Sequence, residues 1–229
     1  MLHTADEYHA VHFSQKNMLK VANEFFGTAM LLAVVTGSGI MGQQLSGGND
    51  AVALLGNSIA TGCGLYVLIS LLGPVSGAHF NPAVTLYFWQ QRALSGIEAA
   101  RYLWAQFSGA IAGVWLTHLM FNQSLIQIST HARSGAAQML SELVSTLVLL
   151  MVIRLGLKHA QDKIPMLVAL TVTAGYWFTA STFFANPAVT LARGLTNTFV
   201  GIAPADIAGF VVAQLGAVLF ISIIFERKS

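Results

Sequence analysis

Charge is what this sequence has least of. Only 9% of its 229 residues are Asp, Glu, Lys or Arg, where a soluble domain carries roughly 25%. Together with 55% hydrophobic residues, that deficit excludes an ordinary water-facing surface and points to one that faces lipid. Cysteine is nearly missing too. A single Cys63, inside an apolar run, rules out an intrachain disulfide framework and a cysteine metal site. A net charge of +2 without a basic run gives no footing for nucleic acid. No enzyme or cofactor is expected, since no nucleophile, metal cluster or acid–base pair stands near the repeated motif described below. The polar, histidine-bearing stretch 1–15 has no signal-peptide pattern and reads as a cytoplasmic tail. Its His3, His9 and His12 are read as solvated side chains and not as a metal site.

What is present is a series of apolar runs. Six are long enough to cross a bilayer, at about 20–42, 51–72, 100–121, 136–157, 165–184 and 204–225. Two shorter pieces, at about 76–91 and 185–196, fall short of a hydrocarbon core of about 30 Å at 1.5 Å per residue. Nine of the eleven Lys and Arg residues lie on one side of a six-span arrangement, and Arg133 and Arg193 are the exceptions. The positive-inside rule then puts both termini in the cytoplasm.

A hexapeptide occurs twice. Asn81-Pro82-Ala83-Val84-Thr85-Leu86 returns as Asn186-Pro187-Ala188-Val189-Thr190-Leu191. Glu24 in the first span is echoed by Glu142 in the fourth, and Ala105-Gln106 in the third by Ala213-Gln214 in the sixth. Each half, about 16–121 and 136–225, therefore reads as span, span, short piece, span. Three spans per half force the second half to enter from the opposite side, so the two short pieces dip in from opposite faces.

Asn is a favoured N-cap and Pro a favoured first helical residue, so each motif starts a half-helix, the first running from Pro82 toward Trp89 and Arg92. The preceding Gly73, Pro74, Ser76, Gly77 and His79 are expected to be non-helical backbone, tolerable at membrane depth only beside water or protein. Two half-helices meeting at mid-membrane aim two positive ends at one point. The Asn81 and Asn186 amides add donors for a passing solute's oxygen, while cations are repelled.

At these residues the sequence resembles the aquaporin, or major intrinsic protein, family, and the resemblance runs from Glu24 to Phe225. Ser76-Gly77-Ala78-His79-Phe80-Asn81-Pro82-Ala83 is similar to the family's first signature, and Glu24-Phe25-Phe26-Gly27-Thr28 to its first-span signature. The resemblance implies an all-α membrane fold, with six transmembrane helices and two re-entrant half-helices in a single channel domain. It also implies a passive pore per subunit within a lipid-embedded homotetramer.

The chain departs from the family after the second motif. Most members follow that Ala with an arginine of the outer filter; here Val189 stands there. Water-selective members place a histidine in the fifth span, yet none follows His159. Counting from the motifs sets the filter at Thr61, Ala174, Phe183 and Val189, wider and less polar than a water filter. An arginine-free second motif resembles that of bacterial members linked to arsenic resistance. The expected cargo is thus small neutral solutes, metalloid hydroxides or methylated arsenicals and water among them, across a bacterial plasma membrane. The alternatives are a water channel of ordinary selectivity, a poorly conducting junction protein, or an ion-coupled transporter using Glu24 and Glu142. Those two acids read better as hydrogen-bond acceptors for the re-entrant loops. His79 is assigned to the first loop or inner vestibule. Arg193, one turn beyond Val189, is either a guard of the outer vestibule or an interfacial cation at a helix end. Gly109 and Gly113 form a small-xxx-small pair suited to close helix contact, within or between subunits.

Overall fold

The structure, a computed structural model, describes the backbone of residues 5–225 and the side chains of residues 15–225. His3, the His9 and His12 side chains, and the terminal Arg227 and Lys228 lie outside the described residues. Among those described, the chain forms eight α-helices and no strand: α1 (Ala5–Leu45), α2 (Asp50–Ser76), α3 (Pro82–Gln90), α4 (Gly96–Met120), α5 (Ala136–His159), α6 (Ile164–Phe178), α7 (Pro187–Arg193) and α8 (Pro204–Ile224). From Ala5 onward, the expected N-terminal tail continues α1 without a break.

Local chemistry accounts for the ends of these helices. Asn49 caps α2 by accepting from the Ala51 and Val52 amides, and a Ser95–Glu98 capping box starts α4. Gly77, at φ 88°, closes α2 in the left-handed conformation that glycine adopts without penalty. Two expectations are corrected here. Gly73, Pro74 and Ser76 are helical, since α2 continues through Pro74, and the non-helical segment begins only at Gly77. The fifth span, expected over 165–184, ends at Phe178. Beyond it Thr179 is extended, its hydroxyl donates to the Gly175 carbonyl, and its oxygen accepts the Phe183 amide. The apolar lettering runs through that break unchanged, which is why hydropathy alone misses it. At 15 residues, α6 covers about 22 Å, and the segment after it leads into the second Asn-Pro-Ala turn.

The two halves repeat one packing scheme: α1 lies against α2 and α4, as α5 lies against α6 and α8, and α2 against α6 joins them. The Gly109–Gly113 pair faces α1 within the same chain. A Cβ at either position would run into the Phe25 or Ala29 carbonyl oxygen. Large apolar side chains, among them Leu71, Trp104, Leu170, Leu219 and Ile223, are turned outward. Glu24, Gln106, Glu142 and Gln214 are fully buried. An apolar exterior, with these polar groups sealed inside an otherwise apolar core, suits a bilayer.

Candidate functional site: a channel between the half-helices

The centre is built from the two Asn-Pro-Ala turns. Asn81 caps α3 by accepting the Ala83 amide at 2.8 Å. Asn186 caps α7 by accepting from Ala188 at 3.0 Å and Val189 at 3.2 Å. Each side-chain amide then crosses to the other half. Asn81 Nδ2 donates to the Ala185 carbonyl at 2.8 Å, and Asn186 Nδ2 to the Phe80 carbonyl at 2.9 Å. An amide nitrogen carries two protons, so one is spent on this bridge and one is left over. Both asparagines line the cavity described below.

The loops leading into these turns are strained alike. Ala78 and Phe80 hold φ near 48°, and Thr182, Phe183 and Ala185 hold φ between 47° and 59°. Such non-glycine conformations persist only where the surroundings over-determine them. The buried acids do this. Glu24 accepts from Ser76 Oγ, the His79 and Phe80 amides and Gln106 Nε2 at 2.7–2.9 Å. Glu142 accepts from the Phe184 and Ala185 amides and Gln214 Nε2 at 2.6–3.0 Å. Each glutamine reaches on to a motif threonine: Gln106 to Thr85 at 2.8 Å and Gln214 to Thr190 at 2.9 Å. Each acid thus clamps its own half's loop. All of these partners are donors, as a carboxylate that anchors backbone amides requires.

A cavity of about 130 Å³ runs between the halves. Leu157 and Ile164 line one end, the two asparagines the middle, and Thr61, Phe183, Val189 and Arg193 the other. His79 also lines it, stacked on Phe88 at 4.8 Å and bonded through Nδ1 to Thr85 Oγ1 at 3.0 Å. Ala174 does not. It is exposed on the outer face of α6, while Val172 and Tyr176, one turn apart, face the cavity. A residue two positions from the pore-facing one points roughly 200° away on a helix, so the count along the fifth span was off by two. Tyr176 was missed for that reason, and its hydroxyl lies 3.2 Å from Thr61 Oγ1. The lining at this level is therefore bulkier and more polar than the sequence suggested.

Two arginines converge at the same end. Arg193, 2% exposed, sits 3.4 Å from the Phe184 ring centre and donates Nε to the Val200 carbonyl. Arg133, from the α4–α5 connection, lies 5.2 Å from that ring and donates Nε to the Gly201 carbonyl at 2.8 Å. Burial lowers the Arg133 guanidinium to about 10. Burial and the nearby arginines also hold His131 below its ordinary value. A residue as distant in sequence as Arg133 gave no signal in the motif arithmetic.

Opposed half-helices, a lumen between inverted repeats and an apolar exterior define an integral membrane channel. The comparisons agree. The profile of the Major intrinsic protein family matches residues 11–182, and the chain belongs to that family. It is 53% identical over 196 residues to the aquaglyceroporin AqpS of Rhizobium meliloti (strain 1021), covering 85% of this chain and 84% of that one. It is 29% identical over 210 residues to an aquaglyceroporin of Toxoplasma gondii, covering 89% and 75%. The X-ray structure of the aquaglyceroporin from Plasmodium falciparum superposes with a TM-score of 0.69 at 19% identity, covering 92% of this chain and 96% of that one. That last likeness bears on the fold alone. The profile match stops four residues short of Asn186, so the second motif is carried by the geometry above.

Proposed function

We propose that this passive channel for small solutes admits neutral molecules larger than water, metalloid hydroxides and methylated arsenicals among them. The carrying observation is Val189 on the cavity lining. Where the family places a charged fork, this chain has a short apolar side chain that holds no solute oxygen and takes up little of the lumen. Phe183 adds a second apolar surface, while the Thr61 and Tyr176 hydroxyls offer hydrogen bonds. A lining of mixed character suits solutes with hydroxyl groups on a compact apolar or metalloid centre. The aquaglyceroporin names of the relatives point the same way.

The same reading sets both termini in the cytoplasm on the charge bias, in a bacterial plasma membrane, and the chain in a homotetramer. The outward apolar side chains are available to lipid or to neighbouring subunits.

Stopped-flow light scattering on proteoliposomes tests the proposal with water, glycerol, urea and arsenous acid. The protein should pass glycerol and arsenous acid, and Val189→Arg should cut both by at least roughly tenfold, the loss expected when about 1.4 kcal/mol is added to the barrier. Water flux with every larger solute excluded would overturn it. So would unchanged glycerol flux in the variant.

A further inference from the structure

Arg193 belongs to no part of the pore scheme inherited from the motifs. It sits at the C-terminal end of α7, four residues after Val189. A guanidinium in that place ordinarily turns to water or pairs with an acid. Here it does neither, being nearly inaccessible yet part of the cavity lining. Its Nε is committed to the Val200 carbonyl and its face to the Phe184 ring. Arginine carries five N–H donors. Among the described residues, no acceptor takes the four on its Nη atoms, and neither Nη atom is sealed away without a partner.

The surroundings hold it still. Val200 and Gly201, consecutive residues, supply the carbonyls that fix Arg193 and Arg133. Phe184, whose amide is clamped by Glu142 at 3.0 Å, lies against both guanidiniums. The 194–203 segment is anchored in turn. Gly194 O accepts the Ser129 amide at 3.0 Å, and His131 O accepts the Ala203 amide at 2.8 Å. His118 Nε2 lies 2.9 Å from Thr196 Oγ1. A buried cation held by a carbonyl and a ring face that are themselves anchored, with its donor ends open to the lumen, is a preorganised binding group.

We infer that Arg193 is the specificity-determining group of this channel. Its Nη donors form the oxygen-binding station and its charge forms the cation barrier at the mouth beyond Val189. The ligand class is a neutral solute with adjacent hydroxyl oxygens, held as an acceptor pair by the planar fork. Arg133, 5.2 Å from the same ring, adds a second positive charge to the barrier. The solute assignment rests on the proposed function above; the cation barrier does not.

The test uses full-length protein in proteoliposomes, with proton and potassium entry read by internal fluorescent dyes and glycerol flux by light scattering. Arg193→Leu should raise cation entry on the order of 100-fold, the factor supplied by a unit charge about 6 Å away in an effective dielectric near 20. It should also lower the ratio of glycerol to water flux. Arg193→Lys should keep the cation barrier while losing the glycerol preference, because the charge remains and the fork does not. Should Arg193→Leu fail to assemble, Arg193→Lys carries the solute arm. Arg193→Gln, which removes the charge but keeps an N–H₂ group for the Val200 carbonyl, carries the barrier arm, and its cation entry should rise as in Arg193→Leu. Wild-type cation entry and solute ranking in these variants would overturn the inference. A leak in Arg193→Leu with no glycerol flux in the wild type would instead refute the solute proposal and leave the barrier standing.

Discussion

Replacing Glu24 by Gln separates a structural clamp from a proton relay. In the wild type, Oε1 accepts from Ser76 Oγ and the His79 amide, and Oε2 from the Phe80 amide and Gln106 Nε2. A glutamine keeps one oxygen. Turned toward Ser76 and His79, it retains two bonds and presents an N–H₂ to the other two donors. Part of that clash can be relieved, because Gln106 Oε1 is buried without a partner. Rotating the Gln106 amide gives the new N–H an acceptor, and the Thr85 hydroxyl can turn to follow. The Phe80 amide cannot rotate, so one buried backbone donor is orphaned, at about 1–3 kcal/mol. The two retained bonds lose their charge assistance, roughly half their strength. Relief of a buried carboxylate offsets some of this. The net expectation is about 2 kcal/mol, or roughly 4–8 °C in melting temperature for a chain of this size. Thermal unfolding of the purified variant in detergent measures it, with solute flux measured alongside. Glu142→Gln should behave alike, because Glu142 clamps the Phe184 and Ala185 amides in the same way. A variant with unshifted melting but abolished pH-driven uptake would refute the clamp and establish a coupled transporter.

Two further outcomes follow from the packing and the outer mouth. Gly113→Leu should prevent assembly outright, because the first added carbon already meets the Ala29 backbone; size-exclusion chromatography of detergent extracts should show loss of the monodisperse peak. His131 is held below its ordinary value of 6.5, so the unfolded chain takes up its proton first and stability falls as pH drops through 6.5. In His131→Ala the decline in melting temperature between pH 7.5 and about pH 5.5 should therefore be shallower than in the wild type, and an identical decline would remove His131 as the cause.

The fold was legible because its main constraints repeat in the lettering. Duplicate Asn-Pro-Ala turns, duplicate acids and duplicate glutamines announce two inverted halves, and the glycine spacing in α4 announces a close contact. The geometry then shows what spacing cannot: whether Gly109 and Gly113 meet a neighbour in the same chain, and which carbonyl each asparagine amide bridges to. Where the lettering is uniform, reading by count fails. Nothing in the apolar run 165–184 marks the exit from helix at Thr179, and a slip of two residues exchanged Ala174 for Tyr176. Arg133 was hidden for a different reason. It reaches Phe184 and Gly201 from a connection far away in sequence, and no period or motif links such positions.

The asparagine bridges also bear on how the molecule comes together. Each carboxylate clamp is closed within its own half: Glu24, Ser76, His79, Phe80, Thr85 and Gln106 all precede residue 121, and Glu142, Phe184, Ala185, Thr190 and Gln214 all follow residue 135. The bonds from Asn81 to Ala185 and from Asn186 to Phe80 are the opposite, for each needs both halves. During synthesis the first half can therefore shape its loop before the second exists, but the Phe80 carbonyl waits for an amide made about a hundred residues later. Two fragments divided in the 121–135 connection would each carry their own carboxylate clamp, while the packing of α3 on α8 and of α7 on α4 would wait for their union. The lumen is in this sense a product of docking, and the bridges at its centre exist only once both halves are present.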